Sequence, residues 1–445
     1  MSRKFFKTRF SPIRPDVGFY ETFKLLSSAS AELLWWLGAP GKWAANFGFL
    51  LLFVIVMLPA LLPAFIRYLW SAGVRKNLMY GSSIRHQLDV YLPSDHKRDP
   101  SRRRPVVIFI SGGAWIIGYK TWAFLMGLVF QDNGVVFVAP DYRNFPQGRV
   151  RTLTWRRQGD RSDPQQIPDM VKDVSEAIRW TFENLEELGG DANNVTLMGQ
   201  SAGAHLAALC VIDAAEKEAA LEKLCASHGL PELVGKEQLQ AGWWRMMEQV
   251  QRNEAGAHSS MEGMAFSCRQ LSRFVGISGP YNILKLIPFM QARGLPKNVL
   301  NALVAGDPLK QSPACRVLDL SPHAVSFLPK VSLFHGTADA TVPHAQTVEF
   351  AMALERAGGR VETVKLYEGK SHTDPILEDP CKGSDPLMLD LLNLITAKDS
   401  STSSLSSSPS SSSLSSSSSS SLSPIIQHRR LHPRVIAVAR WLNPF

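Results

Sequence analysis

The residues Val195-Thr-Leu-Met-Gly-Gln-Ser-Ala-Gly-Ala-His205 decide the fold. Residues 195–198 form a short apolar run that predicts a buried strand, and a run with helical spacing begins after the second glycine. Between the two lies a G-x-S-x-G motif, in the strand–turn–helix setting that an exposed nucleophilic serine requires. The glycines permit the tight turn, which lifts Ser201 Oγ above the sheet and aims the amide of Ala202 at a developing oxyanion.

The sequence around this motif alternates strand-like and helix-like runs from about residue 84 to 397. Strand-like runs occur at 87–92, 106–110, 135–139, 195–198, 274–277, 331–334 and 361–367, and helical patterns at 169–188, 202–211, 344–357 and 386–397. This alternation predicts an α/β fold, with a mostly parallel central sheet and helices on both faces. A basic loop at 148–167 and a helical insertion at 213–273 interrupt it, and we interpret the second as a candidate cap.

A nucleophilic serine needs a base, and the base needs an acid that orients it. In this arrangement the acid and then the histidine follow the serine in the chain. Asp339 follows the strand-like run 331–334, and His372 follows the run 361–367. We therefore predict Ser201, His372 and Asp339 as the catalytic residues.

Other titratable side chains are weaker candidates. His344 is the alternative base, although it precedes the last strand-like run, and Glu368 is the alternative acid. His205 lies behind the serine turn and is interpreted as a packed core residue. His335 ends a strand-like run and is expected to hydrogen-bond locally.

The loop after the strand-like run 106–110 reads Ser111-Gly-Gly-Ala-Trp115. Glycines there let the backbone approach a substrate, and the amides of Gly113 and Ala114 are natural oxyanion donors together with that of Ala202. The predicted oxyanion and substrate-binding residues are Gly112, Gly113, Ala114, Gln200 and Ala202. Trp115 and Trp122 flank the loop, either as core residues or as an apolar wall of the substrate pocket.

The formal net charge of +9 lies at the two ends of the chain. Residues 1–42 carry a net charge of +4 and residues 424–445 another +4, which leaves +1 for the 381 residues between them. A nearly neutral body lacks the basic face that phosphate neutralisation demands, so nucleic acid is not expected as a partner. Basic ends suit a membrane surface better.

Residues 43–66 form an uncharged stretch of 24 residues. About 20 apolar residues suffice to cross a bilayer, and Trp43 and Trp70 lie where interfacial aromatic residues would anchor the ends. We interpret 43–70 as a membrane segment after a basic N-terminal region, 1–42. Pro59 and Pro63 keep a hairpin or interfacial insertion open as the alternative to a spanning helix, beside a buried core helix. Cations on both flanks leave the orientation undecided.

The rest of the composition adds expectations about the chain ends and about cofactors. Residues 400–423 are almost all serine and predict a flexible linker. The basic tail 424–445 contains a short apolar run, which we interpret as a frayed terminus, with membrane contact as the alternative. Five cysteines without metal-ligand spacing favour free thiols in a reducing compartment. No metal and no organic cofactor is expected.

Four stretches carry a resemblance to a known family: Ile108-Phe-Ile-Ser-Gly-Gly-Ala-Trp-Ile-Ile-Gly-Tyr-Lys120, Val138-Ala-Pro-Asp-Tyr-Arg143, Met198-Gly-Gln-Ser-Ala-Gly-Ala-His205 and Gly369-Lys-Ser-His-Thr-Asp-Pro375. Together they resemble the isoprenylcysteine alpha-carbonyl methylesterases, which are α/β-hydrolases related to the hormone-sensitive-lipase and kynurenine-formamidase groups. The resemblance covers about 75–397 and the apolar N-terminal segment. The two insertions, the serine linker and the basic tail depart from the family's pattern.

The resemblance implies hydrolysis of the carboxyl methyl ester of a prenylated cysteine, with release of methanol. We expect a membrane localisation at the endoplasmic reticulum and Golgi, with membrane lipid as a partner because a prenyl chain partitions into bilayers. Another carboxylesterase or lipase of the same fold is the first alternative, and an inactive hydrolase fold used as an interaction module is the second. The sequence leaves the oligomeric state open.

Overall fold

The computed structural model describes residues 41–96, 101–146, 165–227, 265–383, 385–397 and 432–443, together with residues 33, 37 and 99. Eight strands lie in these ranges: β1 Val74–Met79, β2 Gln87–Tyr91, β3 Arg104–Ile110, β4 Val136–Pro140, β5 Gly190–Gln200, β6 Arg273–Ile277, β7 Lys330–Gly336 and β8 Val361–Tyr367. The longer helices are α1 Lys42–Trp70, α2 Phe124–Asp132, α3 Ile167–Glu183, α4 Ala202–Ser227, α5 Ile283–Ala292, α6 Lys297–Leu303, α7 Ala345–Ala357, α8 Pro386–Thr396 and α9 Pro433–Leu442.

The eight strands form one sheet in the order β1-β2-β4-β3-β5-β6-β7-β8. β2 pairs antiparallel with β1 and with β4, whereas every pair from β4 to β8 is parallel. The carboxyl ends of β3, β5, β7 and β8 therefore meet along one edge, which is where open α/β sheets bind ligands. The predicted mostly parallel sheet is confirmed.

Seven of the eight strands coincide with the predicted strand-like runs, with ends that differ by a few residues. β1 was not predicted. In its sequence, Val74-Arg-Lys-Asn-Leu-Met79, three consecutive polar residues separate the apolar ones, and its pairing with β2 shifts register between Arg75 and Leu78. A bulged edge strand lacks both the apolar run and the alternation by which a strand is identified in a sequence.

Helices cover both faces of the sheet, as predicted. One buried apolar cluster joins the sheet to α3, α4, α5, α6 and α7, and a second joins the opposite face to α1, α2 and α8. α1 is thus part of the folded domain over its second half. Tyr68 Oη donates to Asp89 Oδ2 at 2.7 Å, and Arg67 pairs with Asp132. α1 continues through Pro59 and Pro63 without a break.

Several predicted segments lie outside the described residues. They are most of the basic loop at 148–167, residues 228–264 of the predicted cap, the serine linker and most of the N-terminal region. The described start of the predicted cap, from residue 213, continues α4 to Ser227.

The interpretation of the tail as a frayed terminus was wrong. Residues 433–442 form helix α9, in which Ile436, Ala439 and Leu442 are buried. These residues pack on α1 and on Cys381. α1 is almost 400 residues away from the tail in the sequence, and the serine linker separates the tail from both partners. A pairing over such a sequence distance leaves no local signal in the tail.

Candidate active site

Ser201 occupies the turn between β5 and α4. Its backbone φ is +53°, in the left-handed region that non-glycine residues rarely adopt. The amide of Ser201 donates to Ile277 O at 2.8 Å, which ties the turn to the end of β6. Such local strain is held by surrounding structure and concentrates at functional sites.

Three predicted side chains form one continuous hydrogen-bonded chain. His372 Nε2 lies 2.8 Å from Ser201 Oγ, and His372 Nδ1 lies 2.6 Å from Asp339 Oδ2. All three residues are buried, with 8% or less of each exposed. If Asp339 is ionised it accepts from Nδ1–H, which leaves the lone pair of Nε2 directed at the serine hydroxyl. This is the tautomer that a general base needs.

Asp339 is held by more partners than the sequence indicated. Its Oδ1 accepts from the amides of Thr341 and Val342, both at 2.9 Å, and its Oδ2 also lies 3.0 Å from His335 Nε2. Burial alone raises the pKa of Asp339, but the charges and hydrogen bonds of His372 and His335 outweigh it and hold the pKa well below its ordinary range. The carboxylate is therefore ionised at neutral pH.

The glycine loop after β3 comes close to the serine. A Cβ at Gly112 would lie only 2.9 Å from Ser201 Cβ, and Gly113 has a φ of +128° with the Gly118 amide nitrogen 2.4 Å from where its Cβ would be. Only glycine fits these two positions. Within the described part of the chain, the amides of Gly113, Ala114 and Ala202 have no hydrogen-bond acceptor. These amides are therefore free to bind an oxyanion.

Residues outside the predicted site hold this loop in place. Tyr142 Oη donates to Ser111 O at 2.9 Å, while Asn144 Nδ2 and Arg85 Nη2 donate to Gly118 O at 2.6 and 2.8 Å. Tyr142 belongs to one of the stretches that carry the family resemblance, which is the signal that could have identified it. Arg85 had no such signal.

The remaining predicted residues occupy different environments. Gln200 Nε2 lies 3.5 Å from His372 Nε2, at the outer limit of a hydrogen bond. Trp115 is buried and its Nε1–H donates to His205 Nδ1 at 3.2 Å, whereas 55% of Trp122 is exposed. Their role as a pocket wall stays a prediction. Burial lowers the pKa of His205 to about 4, consistent with the packed core residue that we predicted.

The alternative base and acid do not join this hydrogen-bonded chain. His344 directly precedes α7, and Glu368 is exposed in the turn after β8. Among the described contacts neither one reaches Ser201 or His372. His335 hydrogen-bonds locally, as predicted, through Thr347 Oγ1 as well as Asp339.

A cleft of about 400 Å³ opens beside the acid loop. It lies between the start of α1, the end of α5 and Ala340, which directly follows Asp339. Its lining combines charged, polar and apolar side chains. The lining residues are Lys42, Ala45, Asn46, Phe289, Ala292, Arg293 and Ala340. The cleft thus lies between the apolar helix and the residue that follows Asp339.

Comparison with known proteins adds three findings. The BD-FAE family model matches residues 88–354. The chain is 33% identical over 397 residues to the probable isoprenylcysteine alpha-carbonyl methylesterase ICME of Oryza sativa subsp. japonica, covering 88% of this chain and 81% of that one. It is also 33% identical over 384 residues to the isoprenylcysteine alpha-carbonyl methylesterase ICME of Arabidopsis thaliana, covering 85% and 75%.

Among solved structures, the apo form of Thermogutta terrifontis esterase 2 is 26% identical, with a TM-score of 0.42, and the match covers 68% of this chain and 86% of that one. The sheet order and the relatives from rice and Arabidopsis define a carboxylesterase-type hydrolase with the α/β-hydrolase fold. Within that class, the chain belongs to the isoprenylcysteine alpha-carbonyl methylesterase family.

Proposed function

We propose that the chain hydrolyses the carboxyl methyl ester of an isoprenylated cysteine and releases methanol. The observation that carries the proposal is the unbroken hydrogen-bonded chain from Ser201 Oγ through His372 to Asp339. It supports acyl transfer by an activated serine. The substrate class rests on the names of the relatives from rice and Arabidopsis.

In the proposed mechanism Ser201 Oγ attacks the ester carbonyl while His372 Nε2 takes the hydroxyl proton. The tetrahedral intermediate collapses as His372 passes that proton to the departing methoxide, which leaves as methanol. His372 then removes a proton from water, and the resulting hydroxide attacks the acyl-enzyme. His372 returns that proton to Ser201 Oγ as the acyl–oxygen bond breaks, and the prenylcysteine product departs as a carboxylate after its carboxyl proton is lost to solvent. Asp339 keeps the imidazole oriented and stabilises its cationic form.

The amides of Gly113, Ala114 and Ala202 are proposed to bind the oxyanion of both tetrahedral intermediates. Their lack of an acceptor in the described structure supports this role. Fixed donors in a buried site cost no reorganisation as charge develops, which is why they stabilise a transition state more than water does.

A substrate panel tests the proposal. We expect kcat/KM for S-farnesyl- or S-geranylgeranyl-cysteine methyl ester to exceed that for S-methyl-cysteine methyl ester by at least about 10²-fold. Burying only a few prenyl carbons, at about 0.8 kcal/mol each, gives that ratio. The esters differ in the S-substituent alone, so the ratio isolates recognition of the prenyl chain. Methanol release measures the methyl esters. The same panel contains p-nitrophenyl butyrate, followed by release of p-nitrophenol, and a monoacylglycerol, followed by release of glycerol.

Equal or faster turnover of the short ester or the monoacylglycerol would contradict the substrate class and favour a general carboxylesterase or lipase.

The variant Gly113→Ala, measured on the same panel, tests whether the amides of the glycine loop bind the oxyanion. The added methyl group collides with the Gly118 backbone, so kcat is expected to fall about 10²-fold on every ester, with substrate preference unchanged. An unaltered kcat of Gly113→Ala would contradict the proposal that these amides bind the oxyanion.

We also propose that α1 binds membrane lipid, at the endoplasmic reticulum and Golgi. Among the described residues, α1 is the one helix long and apolar enough to cross a bilayer, and only 22% of its most apolar window is buried. A core helix would be mostly buried. The residues packed on the domain are Phe53, Met57, Ala60, Ala64 and Tyr68, and the exposed apolar residues include Phe47, Leu51, Ile55, Leu58, Leu62 and Ile66.

Membrane fractionation tests this second proposal. The full chain is expected to stay in the membrane pellet after alkaline extraction and to co-fractionate with endoplasmic reticulum and Golgi markers. Leu51→Lys combined with Leu58→Lys is expected to move the protein to the supernatant, because a lysine in hydrocarbon costs about 2.5–3.5 kcal/mol. Leu309→Lys with Met352→Lys, which changes equally exposed residues elsewhere, is the matched control. Wild-type protein in the soluble fraction would contradict the proposal.

A further inference from the structure

Helix α9, which follows the serine linker, contacts the segment that carries His372. Arg440 donates from Nη2 and Nε to Asp374 Oδ1, at 2.6 and 3.1 Å. Asn443 Nδ2 donates to Thr373 Oγ1 and, at 3.1 Å, to Glu378 Oε1. Two residues of the tail therefore bind the chain directly after His372.

These contacts continue to both sides of the histidine. Asp374 Oδ2 accepts from the amide of Ser371 at 3.0 Å, and Thr373 Oγ1 donates to Glu378 Oε1 at 2.9 Å. Ser371 and Thr373 are the two chain neighbours of His372. The acids that α9 binds thus restrain the backbone on each side of the imidazole.

The carboxylates that accept these contacts are buried, where charge-assisted hydrogen bonds are strong, although 43% of the Arg440 side chain is exposed. The side chains of Asp374 and Glu378 are 1% exposed or less. Burial raises the pKa of Asp374, but the hydrogen bonds from Ser371 and Arg440 and the charge of Lys382 outweigh it and leave the pKa below its ordinary value. Asp374 is therefore an ionised partner for Arg440.

α9 also packs on α1. Ala439 and Leu442 share a buried apolar cluster with Phe53 and Met57 of α1, and the Trp441 ring meets the Phe49 ring edge-on at 6.2 Å. α9 is thus fixed between the apolar helix and the His372 segment. Packing against α1 supplies the apolar burial that keeps such a short helix folded.

We propose that Arg440 and Asn443 are positioning residues that hold His372 Nε2 within hydrogen-bonding distance of Ser201. The inference rests on the proposed serine-esterase function. A catalytic group displaced by about 1 Å can lose about 10²-fold in rate. Lys382, which also reaches Asp374 at 3.2 Å, retains part of the restraint when the α9 contacts are removed.

The test is the double variant Arg440→Ala/Asn443→Ala in the full chain, with rates expressed per active site titrated by a fluorophosphonate. We expect kcat on the prenylcysteine ester to fall about tenfold while KM stays within about twofold, because the histidine and not the substrate pocket is displaced. Arg440→Lys is expected to remain within about threefold of wild type. Arg434→Ala removes the same charge from an exposed position on the same helix and is the matched control, expected to equal wild type.

A merely structural role predicts a lower melting temperature and fewer titratable sites, with kcat per titrated site unchanged, and that result overturns the inference. If the double variant does not fold, Asn443→Ala alone provides the same test, and its kcat per titrated site is expected to fall about threefold. A wild-type chain that reacts with no fluorophosphonate and hydrolyses no ester would instead overturn the proposed function. The two failures are therefore distinguishable.

Discussion

Replacing Ser201 with alanine is expected to abolish ester hydrolysis, with kcat falling by at least about 10⁵-fold. The reason is that Ser201 Oγ is the hydroxyl hydrogen-bonded to His372 Nε2, at 2.8 Å, beside amides that have no acceptor among the residues that the structure describes. Alanine removes the attacking atom and leaves the oxyanion donors in place. Methanol release from the prenylcysteine ester gives the rate, and a fluorophosphonate probe reports the covalent step directly.

Ser278→Ala is the matched control for this variant. Ser278 directly follows β6 as Ser201 directly follows β5, and it is also buried with a positive φ of +50°. Its amide likewise donates to the neighbouring strand in the sheet, at Phe334 O of β7. Its activity and labelling are expected to stay within about threefold of wild type. Labelling of Ser201→Ala at the wild-type rate would reject Ser201 as the nucleophile. A wild-type chain that is not labelled at all would favour an interaction module.

The strands that set the site could be predicted because each is a buried apolar run with a clear end. β3, β4 and β6 are buried at nearly every residue, so their composition alone distinguishes them from the polar segments between them. Ser201, Asp339 and His372 could then be identified because each one follows the carboxyl end of a predicted strand. Parallel pairing brings those ends to one edge of the sheet, which is why a one-dimensional pattern predicted three residues that lie together in space.

What the sequence did not predict depends on contacts between distant segments. Arg85 reaches Gly118, at the end of the glycine loop, from 33 residues away, and Arg440 of α9 reaches Asp374, two residues after His372, from beyond the serine linker. Each of these side chains is an ordinary polar residue in the sequence and gains its role only from a tertiary neighbour. Such roles have no periodicity or motif from which to infer them.

Asp339→Asn is expected to lower kcat about 10⁴-fold with little change in the fold. The oxygen of asparagine can replace Oδ1 as acceptor for the amides of Thr341 and Val342, at 2.9 Å in the wild type. Its NH₂ group then faces His372 Nδ1 and can only donate. The imidazole must therefore carry its proton on Nε2, the atom that should accept the proton of Ser201.

The matched control is Asp385→Asn, because Asp385 is also a buried aspartate and asparagine caps a helix as well as aspartate does. Its kcat is expected to stay within about threefold of wild type. If Asp339→Asn retained more than about a tenth of the wild-type kcat, another carboxylate would have to orient His372, and Glu368→Gln would be the next variant to measure. Fluorophosphonate labelling of Asp339→Asn is expected to slow together with kcat, because the hydroxyl of Ser201 remains while its base holds the wrong tautomer. Slow labelling of Asp339→Asn that still reaches completion, beside no labelling of Ser201→Ala, would separate the orienting acid from the nucleophile.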